Sequence, residues 1–152
     1  MNKRWLWVVV ASVIAVAAWR WHRGGDAAVA HDDSLVVDRI WLDHLPRNDR
    51  DTINVFVALD GDSFGAFQAA SAWHGVFDAF KFEQDGDQLR LVFPHDGVRE
   101  KVRARARRCN EGGMDFCLEL TGSSHGVKRY YSKKEWGPAH SVDEGLAKLH
   151  LP

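Results

Sequence analysis

Phe80-Lys81-Phe82-Glu83-Gln84-Asp85-Gly86-Asp87-Gln88-Leu89-Arg90-Leu91-Val92-Phe93 is the stretch that decides the fold. Apolar and polar residues alternate on both sides of Asp85-Gly86. That is the period of strands with one buried face, and Asp-Gly suits the positive φ of a tight hairpin turn. With the dipeptide at the hairpin tip, Phe82 pairs with Leu89 and Phe80 with Leu91. Asp96-Gly97 repeats the device and pairs Leu91 with Val102 and Leu89 with Ala104. Gly112-Gly113 supplies a third turn, placing Ala104 and Ala106 on the face shared by Phe116, Leu118 and Leu120. Four consecutive antiparallel strands therefore share one apolar face.

Outward from this core the same reading continues. Ile53, Val55, Val57 and Leu59 alternate with Asn54, Phe56 and Ala58, the mark of another strand. Leu35 to Leu42 reads as the first strand and Val127 to Ser132 as a late one. Residues 64–75 are rich in Ala, and the Phe67, Ala70, Trp73, Phe77 spacing also suits a helix, but the short connections on either side favour a strand. Ser141-Val142-Asp143-Glu144 has capping-box spacing ahead of Leu146 and Leu149 and predicts a short C-terminal helix. No βαβ rhythm is present. The expected fold is mainly β: one antiparallel meander of about seven strands curling into a barrel or half-barrel, with an N-terminal membrane helix and a short C-terminal helix.

Residues 5–19 carry no charge and are bracketed by Lys3, Arg4 and Arg20. Trp5, Trp7, Trp19 and Trp21 stand at the two ends of this run, where indoles favour the headgroup level. The chain accordingly divides into an N-terminal membrane anchor or signal segment (1–23), a flexible tether (24–34), the β domain (35–136) and a C-terminal tail (137–152). An uncleaved anchor holds the domain outside the cytoplasm, in the periplasm or cell envelope. Cleavage after Ala15-Val16-Ala17 or Ala28-Val29-Ala30 would release it as a secreted protein. Cys109 and Cys117 flank the Gly-Gly turn, which brings them nearly opposite one another and predicts a disulfide in an oxidising compartment. Two Cys with neither a CxxC spacing nor a nearby pair of His make a poor zinc site, and no metal or cofactor is expected.

The formal net charge of -1, from 20 basic and 21 acidic residues, conceals an uneven distribution. Residues 24–97 hold 5 basic against 14 acidic residues, whereas residues 98–152 hold 11 against 7. Arg99, Lys101, Arg103, Arg105 and Arg107 occupy every other position of one strand. At roughly 6.6 Å per repeat they form a basic rail about 26 Å long. Such a rail suits an anionic lipid surface, an envelope polymer or an acidic protein surface. Nucleic acid is not expected, because the compartment is wrong and no aromatic side chains interleave the cations. The acids fall mainly in turns, where Asp satisfies backbone groups. Asp60-Gly61-Asp62 and Asp85-Gly86-Asp87 lack the further oxygen ligands of a calcium loop.

Gly61-Asp62-Ser63, following a strand, resembles the nucleophile block of the GDS-type esterases. That resemblance implies an α/β fold and an Asp-x-x-His pair near the C-terminus. His140 and His150 have no Asp three residues before them. Gly122-Ser123-Ser124-His125-Gly126 sets Ser beside His, but adjacency in sequence builds no triad. The chain is therefore expected to be non-catalytic: a membrane-anchored extracytoplasmic binding or envelope-interaction module acting through its basic strand. The alternative is a lipocalin-like carrier. In that reading Trp41, Trp73, Phe80, Phe82, Leu89 and Leu91 line an apolar cavity, rather than joining Phe77, Phe93 and Phe116 in a filled core.

Overall fold

The computed structural model describes residues 30–137. Eight antiparallel strands close into a barrel in sequence order: β1 (Arg39–Leu42), β2 (Ile53–Leu59), β3 (Phe64–Ala70), β4 (Gly75–Asp85), β5 (Gln88–Val92), β6 (Arg99–Glu111), β7 (Met114–Thr121) and β8 (Arg129–Ser132). Leu42 opposite Tyr131 joins β1 to β8 and completes the closure. The ambiguous stretch 64–75 is a strand as far as Ala70. The membrane segment, most of the tether and the expected C-terminal helix lie outside the described residues.

Period-two alternation puts Phe56, Phe67, Phe80, Phe82, Leu89, Leu91, Val102, Ala104, Ala106, Phe116, Leu118, Leu120 and Tyr130 inside, all buried in one cluster. Gly65 shapes this interior. The Phe80 ring lies against it, and a Cβ at that position would come within 2.4 Å of the ring and 2.5 Å of the Val57 carbonyl oxygen. A second apolar cluster forms from Ile40, Leu42, Met114 and Trp136, with Ile53, Val55 and Tyr131 packed against it.

Two hairpin registers differ from expectation by two residues. Phe82 faces Leu91, and Gln84 faces Leu89. Asp85 pairs with Gln88, so the two turn residues are Gly86 and Asp87, with Gly86 at φ +59°. In the next hairpin Leu89 faces Val102 and Leu91 faces Glu100. Here Phe93 N–H donates to the Val98 carbonyl at 2.9 Å, leaving a four-residue loop with Gly97 at its end. Shifts by an even number preserve side-chain faces, which is why the core is the expected one although the pairs are not. The Gly112-Gly113 hairpin keeps Ala104 opposite Leu120 and Ala106 opposite Leu118, with a bulge between Arg108 and Glu111. Cys109 and Cys117 lie at disulfide distance across it, with Cα atoms 5.7 Å apart.

The first strand is shorter than Leu35 to Leu42. The Asp32 side chain accepts from Ser34 N–H and starts a 3-10 turn over Asp33–Leu35, and Asp38 adopts a left-handed φ of 53° that ends any extended run before Arg39. Val36, fully buried, enters the barrel at this end, and its carbonyl accepts from the Trp41 indole N–H at 3.0 Å. The last strand is likewise shorter than expected, beginning at Arg129 rather than Val127.

Because the meander runs up and down, its connections divide between two ends. One end has the connections 60–63, 86–87 and 112–113, together with the chain entering β1 and leaving β8. The other has the longer loops 43–52, 93–98 and 122–128 and the 71–74 turn.

Candidate anion-binding face

β6 supports the basic rail as its alternation requires. Arg99, Lys101, Arg103 and Arg105 are exposed and Arg107 is half-buried, while Val102, Ala104 and Ala106 point into the core. The five cations are not equivalent. Arg103 and Arg105 both reach one carboxylate oxygen of Asp87, at 3.3 and 3.1 Å, and Arg107 reaches Glu111 at 3.2 Å. Among the described residues, Arg99 and Lys101 have no ion-pair partner. Exposed pairs of this kind contribute little stability, but they do decide where uncompensated charge remains.

Glu100 stands between Arg99 and Lys101 in sequence yet does not neutralise them. Its carboxylate turns to the β7–β8 loop, where it accepts from the Ser123 hydroxyl at 3.1 Å, from Ser124 N–H at 3.3 Å and from the Ser124 hydroxyl, and meets His125 Nδ1 at 3.3 Å. Burial alone would raise its pKa. The hydrogen bonds from Ser124 and Ser123, with His125 nearby, outweigh that and hold the carboxyl below its ordinary value of 4.5.

Strand register adds a cation that the one-strand reading missed. Lys81 on β4 faces Val92 on β5, which faces Arg99 on β6, and one step along, Glu83, Arg90 and Lys101 form the next row. Arg90 is paired with Glu83 and Asp85, each at 3.5 Å. Lys81, Arg99 and Lys101 thus surround Val92 in a shallow groove of about 820 Å³, which Asp62 and Glu83 also line. The rail's two cations without an ion-pair partner lie there, at one end of the rail.

The six residues expected to line an apolar cavity separate. Trp41, Phe80, Phe82, Leu89 and Leu91 lie in the core. Phe80 packs against Phe56, Phe67, Phe82 and Phe93 with ring centroids 5.2 to 6.2 Å apart. Trp73 does not belong with them: it sits in the β3–β4 turn, 79% exposed. Phe77, expected in the core, faces outward and is 59% exposed, because β4 pairs it with Gln68 on the outer face of β3.

The two catalytic lookalikes can be placed as well. Ser63 ends the 3-10 turn after β2 in a left-handed conformation, and the sheet around it is antiparallel rather than the parallel sheet the esterase resemblance implies. Ser124 Oγ and Glu100 Oε1 approach the same ring nitrogen of His125, at 3.2 and 3.3 Å. A relay needs the nucleophile on one ring nitrogen and the acid on the other. The His125 ring stacks on Phe93 at 4.0 Å, so this network closes the loop end of the barrel. Cys109, Glu111 and Cys117 come close enough together to suggest a metal group, but the thiols are joined to each other.

Arg39 was also not anticipated. Its guanidinium lies 4.3 Å over the Phe116 ring and donates to the Lys133 carbonyl at 2.7 Å. Burial lowers its pKa, with Asp115 opposing. No protein-family model, curated protein or solved structure matches the chain, so its surfaces are read from their own geometry.

Proposed function

We propose that this protein is a non-catalytic binding module of the cell envelope, held by its N-terminal segment, that engages an anionic surface through the outer face of β4, β5 and β6. The observation that carries the reading is the trio Lys81, Arg99 and Lys101, exposed around Val92 without ion-pair partners among the described residues. Guanidinium and ammonium groups that are not already paired are the ones free to exchange water and counterions for phosphate, carboxylate or sulfate. The apolar N-terminal run and the cysteine pair support the placement outside the cytoplasm.

Heparin serves as a soluble anionic probe. The full chain in neutral detergent is expected to be retained on immobilised heparin and to elute with added salt, as screened electrostatic contacts require. R99Q/K101Q should elute at clearly lower salt. Unchanged elution of that variant would overturn the reading.

A further inference from the structure

The loop end of the barrel combines three features. Among the described residues, the six large apolar side chains that remain exposed lie on its loops or on the strand residues that border them: Leu45, Trp73, Val76, Phe77, Val92 and Val98. Trp73 stands at the tip, with Phe77 and Val76, 59% and 52% exposed, immediately behind it. The tip is built rather than loose. Ser71 N–H donates to the His74 carbonyl at 2.8 Å, and Ala72 N–H donates to the Asp49 carbonyl at 3.1 Å, tying the turn to the β1–β2 loop.

Cations are also exposed at this end. Arg99 and Lys101 begin β6 at the same end, Arg47 and Arg50 are exposed in the β1–β2 loop, and Lys128 is exposed before β8. Most acids at this end are engaged by neighbouring groups. Asp43 accepts from Asn54 N–H and Nδ2 at 2.9 and 2.7 Å, Asp51 from Arg47 N–H at 3.0 Å, Asp96 from Val98 N–H at 2.9 Å, and Glu100 from the two serines. Asp49 and Asp78 are the remaining ones. An indole on a fixed turn and a phenyl ring at the start of β4, with Arg and Lys exposed on the other loops and strand starts of the same end, match the layered chemistry of a bilayer surface: apolar chains, then headgroups where indoles settle, then phosphate charge.

We propose that this end seats on an anionic lipid bilayer, with Trp73, Val76 and Phe77 entering the headgroup layer and Arg99 and Lys101 against lipid phosphates. The inference rests on the anionic-surface reading above and names its surface. It adds an apolar contact that heparin does not test, so the two fail separately.

The test places an environment-sensitive fluorophore on the turn through His74→Cys in the full chain, whose native cysteines are already joined to each other. The control carries the same label at the same position in a W73S/F77S background, so that anything the N-terminal segment contributes is common to both. In phosphatidylcholine vesicles containing phosphatidylglycerol, the turn label should shift to the blue and be quenched by brominated acyl chains, and the control label should do neither. W73S/F77S should leave heparin elution unchanged. Adding R99Q/K101Q should weaken both. A turn label that keeps its aqueous emission in these vesicles would overturn the proposal even if heparin retention persists. So would equal insertion into pure phosphatidylcholine, or a blue shift that depends on protein concentration and occurs without lipid, which would mark contact with a second copy of the chain.

Discussion

The two ends of the barrel are built on different principles. At one, Gly86-Asp87 and Gly112-Gly113 make two-residue turns, and Arg39 sits buried over Phe116. Backbone geometry and a buried charge account for what is there. At the other, longer loops engage most of their acids internally, Trp73, Val76 and Phe77 are exposed, and Arg99 and Lys101 begin β6. The contrast separates what stabilises the barrel from what is available to a partner. An exposed side chain that does nothing for stability at a rigid turn is the kind of residue whose role must be sought outside the molecule.

Substitutions can break or sharpen this contrast. The largest expected effect is on the interior that both ends enclose: Phe80→Ala should cost about 3–5 kcal/mol in denaturant unfolding, because the ring is fully buried among four other aromatics. A cost under about 1 kcal/mol would mean the core is not packed as described.

Next comes the network closing the loop end. Glu100→Gln should cost about 1–2 kcal/mol at neutral pH by weakening the hydrogen bonds from Ser123 and Ser124. The folded carboxyl holds its proton less tightly than the ordinary value of 4.5. Its stabilisation is therefore complete above that pH and is lost as pH falls through the lower folded value. Unfolding curves of wild type and variant should converge in acid, and a constant gap across that range would contradict the assignment.

The smallest effect is at the turn. W73S/F77S should change stability by no more than about 0.5 kcal/mol, as expected of exposed positions. Substantial destabilisation would show that the turn serves the fold rather than a surface.

How much of this was legible depended on distance along the chain. The faces of β4 to β7 could be read because alternation survives any even slip in pairing. The pairs themselves could not, since an Asp-Gly-Asp turn permits Gly86 to occupy either central position and the loop before β6 hides its length in Pro94-His95. Leu35 to Leu42 read as one strand because nothing in its composition reveals the left-handed Asp38. Phe77 stands three residues before Phe80, so alternation itself puts it on the outer face, whereas Trp73 shares the period of Phe67 and nothing in the composition shows that β3 ends at Ala70. The rail was visible as five cations. That Asp87 holds two of them, that Glu100 turns to a loop 23 residues away, and that Lys81 joins Arg99 across Val92 all depend on strand register.

The central claim is that uncompensated charge, rather than total charge, makes the binding face. The most direct test compares R99Q/K101Q with R103Q/R105Q on immobilised heparin, since both variants lose two positive charges. Removing Arg99 and Lys101 should lower the elution salt markedly, whereas removing the two arginines already held by Asp87 should lower it much less. Equal shifts for the two variants, or a larger one for R103Q/R105Q, would contradict the account.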